Sequence, residues 1–188
     1  MSERQIAFQK IQSLLQTDEP ASLGPEPRSG RESIQSLEKK LNDIFSETKF
    51  SGSAQHLIRS LVLLWHDYLD ESHSISQNIH SADGSFLHGI MHRREPDYGN
   101  AKYWLHRVGE HACYPAIAEE VNQFLTAANA SDLKSKLIPK SNWDAFAFVD
   151  ACEIALREKD SQTIFTLQRI QEIEFKTLLK QFSSLTAK

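Results

Sequence analysis

Four of the eight histidines in this 188-residue chain fall between residues 88 and 111, which makes this segment the first candidate for chemistry. His88 and His92 are four residues apart, so they share one face of a helix and their imidazoles could bind the same divalent ion. The zinc-protease pattern requires Glu directly after the first histidine, and Gly89 stands there instead. The spacing therefore indicates either a metal site of another kind or a simple hydrogen-bonded pair.

A second group of polar side chains lies on residues 53–80, which we predict to form one long helix because they contain no Pro and no internal Gly. At 100° per residue the group shares one face, which lacks the Lys, Arg and Glu of an ordinary solvated helix face. The upstream half of the segment is apolar on most sides, so this face either lines an internal cleft or points into water. Its members are His66, Asp70, His73, Gln77 and His80.

These two groups suggest metal ligation and proton transfer. Imidazole and carboxylate groups one helical turn apart suit a divalent cation, and we assign the possible metal ligands to His88, His92 and Asp70. The candidates for catalytic acid–base groups are His73, His92 and Asp97. The cofactor stays open, and a divalent metal is the one that these residue types suggest.

Hydrogen-bond donors that could hold an anion follow the two histidines directly. Arg93 and Arg94 precede Glu95 and Asp97, so they either form structural ion pairs or leave one guanidinium, assigned here to Arg94, for a carboxylate or phosphate ligand. The next helix carries amide, indole, guanidinium and imidazole donors on one face, provided that its pattern continues past Gly109. The ligand-binding candidates are Arg94, Asn100, Trp104, Arg107 and His111.

Asp150 is the one polar residue in the apolar run 145–152. We expect it to be buried there and to need a partner, because an unpaired buried charge is costly. An ion pair with an arginine or a histidine is the first interpretation, and a metal ligand or general base is the alternative.

Composition excludes several classes of protein. The net charge of −4 gives no support for nucleic-acid binding, which usually needs a basic surface. No run approaches the 18 apolar residues of a membrane span, and the first residues lack the apolar core of a signal peptide. Cys113 and Cys152 form no CxxC pair or disulfide framework, so we interpret them as buried thiols. We expect a soluble, cytoplasmic protein that binds neither nucleic acid nor membrane, and its oligomeric state is open.

Apolar residues recur at helical spacing in every long segment, and no segment alternates over the length of a strand. We therefore predict an all-α fold of seven or eight helices in a single bundle-like domain. Residues 1–16 are expected to form an N-terminal helix. Residues 17–32 contain three prolines and two glycines and should form an irregular linker or arm. Residues 33–188 then form the helical domain that carries the site.

The string HGIMHRREPDYGNAKYW at residues 88–104, followed by Arg107, Gly109 and His111, resembles the signature of an uncharacterised family of helical bacterial and fungal proteins. Residues 70–77 resemble an accompanying motif. The resemblance covers roughly residues 61–115 and implies a helical fold, with no established activity attached. His106 stands where this resemblance leads us to expect Arg, which argues against a direct role for His106.

The sequence favours an enzyme whose His, Arg and Asp side chains act, with a metal or without one, on a small polar or anionic substrate. A small-molecule-binding module without catalysis and a structural protein with a buried polar core are the alternatives. No nucleophile elbow, phosphate-binding glycine loop, Rossmann fingerprint or di-iron ExxH pair is present.

Because short connections pack consecutive helices together, seven side chains should converge on one pocket, the first three within about 10 Å of a common point. They are His73, His88, His92, Asn100, Trp104, Arg107 and His111.

Overall fold

The computed structural model describes residues 3–48 and 50–185. These residues form ten α-helices, one short 3₁₀ helix and no β-strand, which confirms the all-α prediction and exceeds the expected number of helices. The α-helices are α1 Glu3–Leu14, α2 Ile34–Ser46, α3 Gly52–Trp65, α4 Leu69–Ser76, α5 Ala82–Arg94, α6 Tyr98–Val108, α7 Tyr114–Ala127, α8 Ser131–Leu137, α9 Ala145–Glu158 and α10 Ser161–Ser184, and the 3₁₀ helix is Pro139–Ser141. None of the helices in the described ranges has both the length and the apolar character needed to cross a membrane.

The single helix predicted over residues 53–80 is wrong, because α3 ends at Trp65 and α4 begins only at Leu69. Asp67, between them, has a φ of 64°, a conformation that Asp tolerates better than most residues. At the end of α3, the carbonyl of Leu64 accepts a hydrogen bond from Arg94 and the carbonyl of Trp65 accepts one from Arg28. Cationic partners distant in sequence therefore cap α3, and a local pattern cannot reveal them.

The carboxylate of Asp67 is the centre of a buried ion cluster. Arg28 Nε lies 2.8 Å from one of its oxygens and Arg94 Nη2 lies 2.5 Å from the other, and all three side chains are buried or nearly so. Burial alone would raise the pKa of Asp67, but the guanidinium of Arg94 and the hydrogen bonds from Arg28 hold that pKa below its ordinary value. The cluster ties the irregular segment, the α3–α4 turn and α5 together.

Residues 17–32 contain no helix, yet they pack onto the core instead of extending into solvent. Gln171 Nε2 of α10 donates to the carbonyls of Ala21 and Ser22, both at 3.1 Å. Its amide oxygen accepts from Arg93 Nη2, also at 3.1 Å. One glutamine thus links this segment to α10 and α5.

Helix α5 lies at the centre of the fold, and every residue from Gly84 to Arg94 is buried. Its polar side chains are therefore interior groups that need partners. Gly89 lets α6 approach closely, since a Cβ atom there would lie 3.0 Å from Leu105 Cγ. This close packing brings the side chains of Asn100 and Trp104, on α6, against the histidines of α5.

Candidate metal centre

Three histidines from two helices meet at the interface of α4 and α5. The ring centroids of His73 and His88 are 4.7 Å apart, those of His73 and His92 are 5.4 Å apart, and those of His88 and His92 are 4.7 Å apart. One ring nitrogen from each residue lies within 4.8 Å of the other two. The convergence expected for these three imidazoles is therefore observed, and we call them the histidine cluster.

Burial leaves the cluster short of hydrogen-bond partners. His88 and His92 are 3% and 6% exposed, and neither ring nitrogen of His88 has a partner among the described residues. A buried polar atom without a partner carries a desolvation cost of about 1–3 kcal/mol. His73 is only half-buried, so the cluster can be reached from its side.

The electrostatics around His88 and His92 favour neutral imidazoles at these two residues. Burial, together with the nearby His92 and His73, lowers the pKa of His88 to about 4. Burial also lowers the pKa of His92, although the carboxylate of Glu95 opposes that shift. At neutral pH these rings keep the lone pairs that a metal ion needs.

Hydrogen bonds decide which nitrogen of His92 is available. Its Nδ1 lies 3.0 Å from Glu95 Oε2, and an ionised carboxylate only accepts, so Nδ1 carries the proton. Its Nε2 therefore holds the free lone pair, and Asn100 Nδ2 lies 3.0 Å from it. A carboxylate that fixes the tautomer of a ligand histidine is a common outer-shell feature of metal sites.

Two further residues predicted as ligand-binding lie beside the histidine cluster. The indole of Trp104 stacks on His88, with centroids 3.9 Å apart and planes inclined by 18°. The guanidinium carbon of Arg107 lies 5.4 Å from the centroid of the Trp104 ring. Within residues 3–48 and 50–185, Arg107 has no carboxylate partner, so its donors are available to an anion.

Three predicted site residues lie elsewhere. Asp70 is exposed in the first turn of α4 and is not part of the histidine cluster. Arg94 is fully buried and donates to Asp67, so it has the structural role that the sequence left as an alternative. His111 donates toward Asp83, at 3.0 Å, because α6 stops at Gly109, which has a φ of 62°. His111 lines a separate cleft of about 930 Å³ that is bounded by the end of α6, the first half of α7 and residues 138–146.

Two carboxylates also have different surroundings from those expected. Asp97 caps α6, its Oδ1 accepting from the backbone N–H of Asn100 at 3.1 Å. Asp150 forms an ion pair with Lys102, at 2.5 Å, rather than with the expected arginine or histidine, and its side chain is 49% exposed. The prediction that Asp150 is buried is wrong, because it lies on the outer side of α9 beside α6.

The position of Glu95 beside His92 was missed as part of the site. Its signal was present in the sequence, since a residue three places after a histidine lies on the same helix face. Of the polar face predicted on residues 53–80, only His73 reaches the cluster. His66 is buried elsewhere, with its Nε2 2.8 Å from the carbonyl of Leu14, and His80 is exposed.

Comparison of the chain with protein-family models, curated proteins and solved structures gives no match. The case for function consequently depends on the geometry of the histidine cluster and its neighbours.

Proposed function

We propose that the protein is an enzyme that uses a divalent metal ion, held by His73, His88 and His92, to act on a small polar or anionic substrate. One observation carries this proposal: three imidazole nitrogens lie within 4.8 Å of one another, and both nitrogens of the buried His88 have no partner among the described residues. An ion between the rings would supply a partner for one of these two nitrogens.

The donor set indicates the class of metal. Three neutral imidazoles suit zinc and the neighbouring first-row divalent ions, whereas Mg²⁺ and Ca²⁺ prefer oxygen ligands. An ion with bonds of about 2.1 Å in tetrahedral geometry holds its ligand atoms about 3.4 Å apart. The half-buried His73 is the ring with room to close the remaining gap.

Three protein ligands leave a coordination position for the oxygen of a substrate or of water. A metal ion in such a position polarises the bound oxygen and stabilises negative charge in the transition state. Arg107, with its available guanidinium, is suited to hold an anionic part of the substrate. Glu95 fixes His92 in the tautomer that directs Nε2 to the ion.

Metal analysis of protein purified without an affinity tag tests the metal part of the proposal. We expect one zinc or similar ion per chain, lost in His88→Ala and also in His73→Ala, which changes a half-buried residue and disturbs the core less. His106→Ala, on the exposed face of α6, is the matched control and should keep its metal. Folded wild-type protein that takes up no divalent ion would contradict the proposal.

Turnover of small carboxylate and phosphate esters tests the catalytic part. Activity should disappear after treatment with a chelator and return with Zn²⁺. Arg107→Gln should raise KM for anionic esters by about tenfold, the effect of one charge-assisted hydrogen bond, and leave KM for neutral esters unchanged. Metal-loaded protein that turns over no ester would contradict hydrolysis of this substrate class.

A further inference from the structure

The cleft that His111 lines has no lining residue in common with the histidine cluster. It has a volume of about 930 Å³, and small-molecule sites in proteins are typically clefts of about 300–1,000 Å³. His111 is a fixed part of its wall, because the backbone N–H of Cys113 donates to Nδ1 and Nε2 donates to Asp83. The remaining lining residues therefore decide what the cleft can bind.

Polar side chains of the cleft remain without a hydrogen-bond partner within residues 3–48 and 50–185. They include the hydroxyl of Tyr114 and the amides of Asn122 and Asn142. Tyr114 and Asn122 are half-buried and Asn142 is exposed, and none of these unpartnered atoms is closed off from solvent. Burial and the nearby carboxylates raise the pKa of Tyr114, so its hydroxyl stays protonated and can donate. The cleft thus offers accessible donors and acceptors that the fold itself does not use.

An exposed aromatic ring lines the same cleft. Phe146, in the first turn of α9, is 40% exposed. The neighbouring Phe148 is fully buried and packs against Trp143, whereas Phe146 has no partner ring among the described residues. An exposed ring in one cleft with unpaired polar groups matches a ligand that is apolar on one side and polar along its edge.

The backbone beside Phe146 is strained. Lys140 and Ser141, which also line the cleft, have φ angles of 53° and 66°. Residues other than glycine seldom adopt this conformation. Strain of this kind persists only where the surrounding structure holds it, and it is concentrated at ligand sites. Residues 138–146 therefore have the character of a binding loop.

The ionised side chains of the cleft nearly balance, since two lysines and three carboxylates line it. They are Lys134, Lys140, Glu110, Glu119 and Asp144. An anionic ligand would require an excess of cations, and the lysines would repel an organic cation. The balance therefore favours a neutral ligand. Hydroxyl groups suit it best, because a hydroxyl both donates and accepts and can bond to amides, carboxylates and lysines alike.

We infer that this cleft binds a neutral saccharide. The C–H face of a sugar ring, which carries a partial positive charge, packs on the negative face of the Phe146 ring. The hydroxyls along the edge of the sugar bond to Tyr114, Asn122 and Asn142. The binding is independent of the metal centre, because the two sites share no residue.

Saturation-transfer difference NMR with neutral sugars tests this inference, the probes being glucose, galactose, mannose, N-acetylglucosamine, maltose and cellobiose. At least one of them should bind with a Kd of about 1 mM or below. Phe146→Ala should weaken that binding about tenfold, because the sugar loses the ring on which it packs. Tyr114→Phe removes one hydrogen bond and should weaken the binding about three- to tenfold. Both substitutions leave the buried core unchanged, since one is exposed and the other keeps its ring.

Phe165→Ala and Tyr103→Phe are the matched controls, because these exposed rings lie outside the cleft, and both variants should bind the sugar as the wild type does. Protein treated with a chelator should also bind it equally well, so failure of the metal site leaves this inference standing. Absence of binding by every sugar, or equal affinity in Phe146→Ala and the wild type, would overturn the inference. Binding of adenosine in place of the sugars would overturn the saccharide class.

Discussion

The indole of Trp104 covers one face of His88, with ring centroids 3.9 Å apart. The other close ring neighbours of His88 are His73 and His92, and no hydrogen bond from a described residue orients it. Ring stacking, and not hydrogen bonding, therefore determines the direction in which the nitrogens of His88 point. Aromatic pairs of this kind contribute about 0.5–1.5 kcal/mol beyond the area that they bury.

Trp104→Ala should lower the affinity for Zn²⁺ by about 10- to 100-fold, the usual effect of losing a group that orients a ligand histidine. Trp104→Phe retains a ring and should keep most of the affinity. Competition with a zinc-binding dye measures both variants. Tyr103→Ala, the exposed neighbouring aromatic, serves as the control, and an equal loss in that variant would contradict the role given to the stack.

The sequence predicts that the three histidines meet, but not the turn that brings His73 to the other two. The spacing of His88 and His92 on one helix is correct, because i and i+4 positions share a face whatever surrounds them. His73 joins them through the packing of α4 on α5, after a turn at Asp67 that depends on Arg94 and Arg28. The separation of His111 follows from Gly109, where a positive φ ends α6.

The fold shows the same division. Apolar spacing predicts most helices, since each buries one face, and it also predicts that residues 17–32 are not helical. It does not show that these residues lie against α10, because Gln171 and Ala21 are 150 residues apart. Contacts at such separations leave no periodic pattern in the chain.

Asp67→Asn should lower the free energy of unfolding by about 3–5 kcal/mol, because it removes the negative charge between the guanidinium groups of Arg28 and Arg94. The guanidinium group of Arg94 is fully buried, so it would be left there without its carboxylate partner. Asn keeps the shape of Asp and also tolerates the φ of 64° at this position, so the change isolates the charge. Urea denaturation measures the loss. Asp150→Asn breaks a partly exposed pair with Lys102 and should cost less than about 1 kcal/mol. Similar losses in the two variants would argue against the central role of Asp67.

Acid should destabilise the protein partly through His66. Burial lowers the pKa of His66 below its ordinary value of 6.5, and the nearby Arg28 lowers it further, although the hydrogen bond to Leu14 opposes the shift. The unfolded chain consequently binds a proton more readily than the folded chain, and stability falls as the pH drops below about 6.5. Below the folded pKa both states bind the proton and this loss stops increasing.

His66→Gln removes the titrating ring and offers an amide N–H to the carbonyl of Leu14. Between pH 7.5 and pH 5.5 the free energy of unfolding should fall less in the variant than in the wild type. The difference between the two losses is at most about 1.4 kcal/mol per pH unit, because a single proton is involved. Urea denaturation at both pH values gives the comparison, and the groups common to the two proteins cancel. Parallel losses in the two proteins would show that His66 does not contribute.

Gln171 should hold the irregular segment against the helices. Gln171→Met keeps the length of the side chain but leaves the carbonyls of Ala21 and Ser22 and one donor of Arg93 without their partner. Each buried group left unpaired costs about 1–3 kcal/mol, so the segment should detach before the rest of the protein unfolds. Limited proteolysis under native conditions should therefore cut within residues 17–30 much faster than in the wild type. Gln168→Met is the control, because it makes the same change at a half-buried position one turn away on α10. If proteolysis cuts residues 17–30 of this variant at the same increased rate, Gln171 is not the anchor.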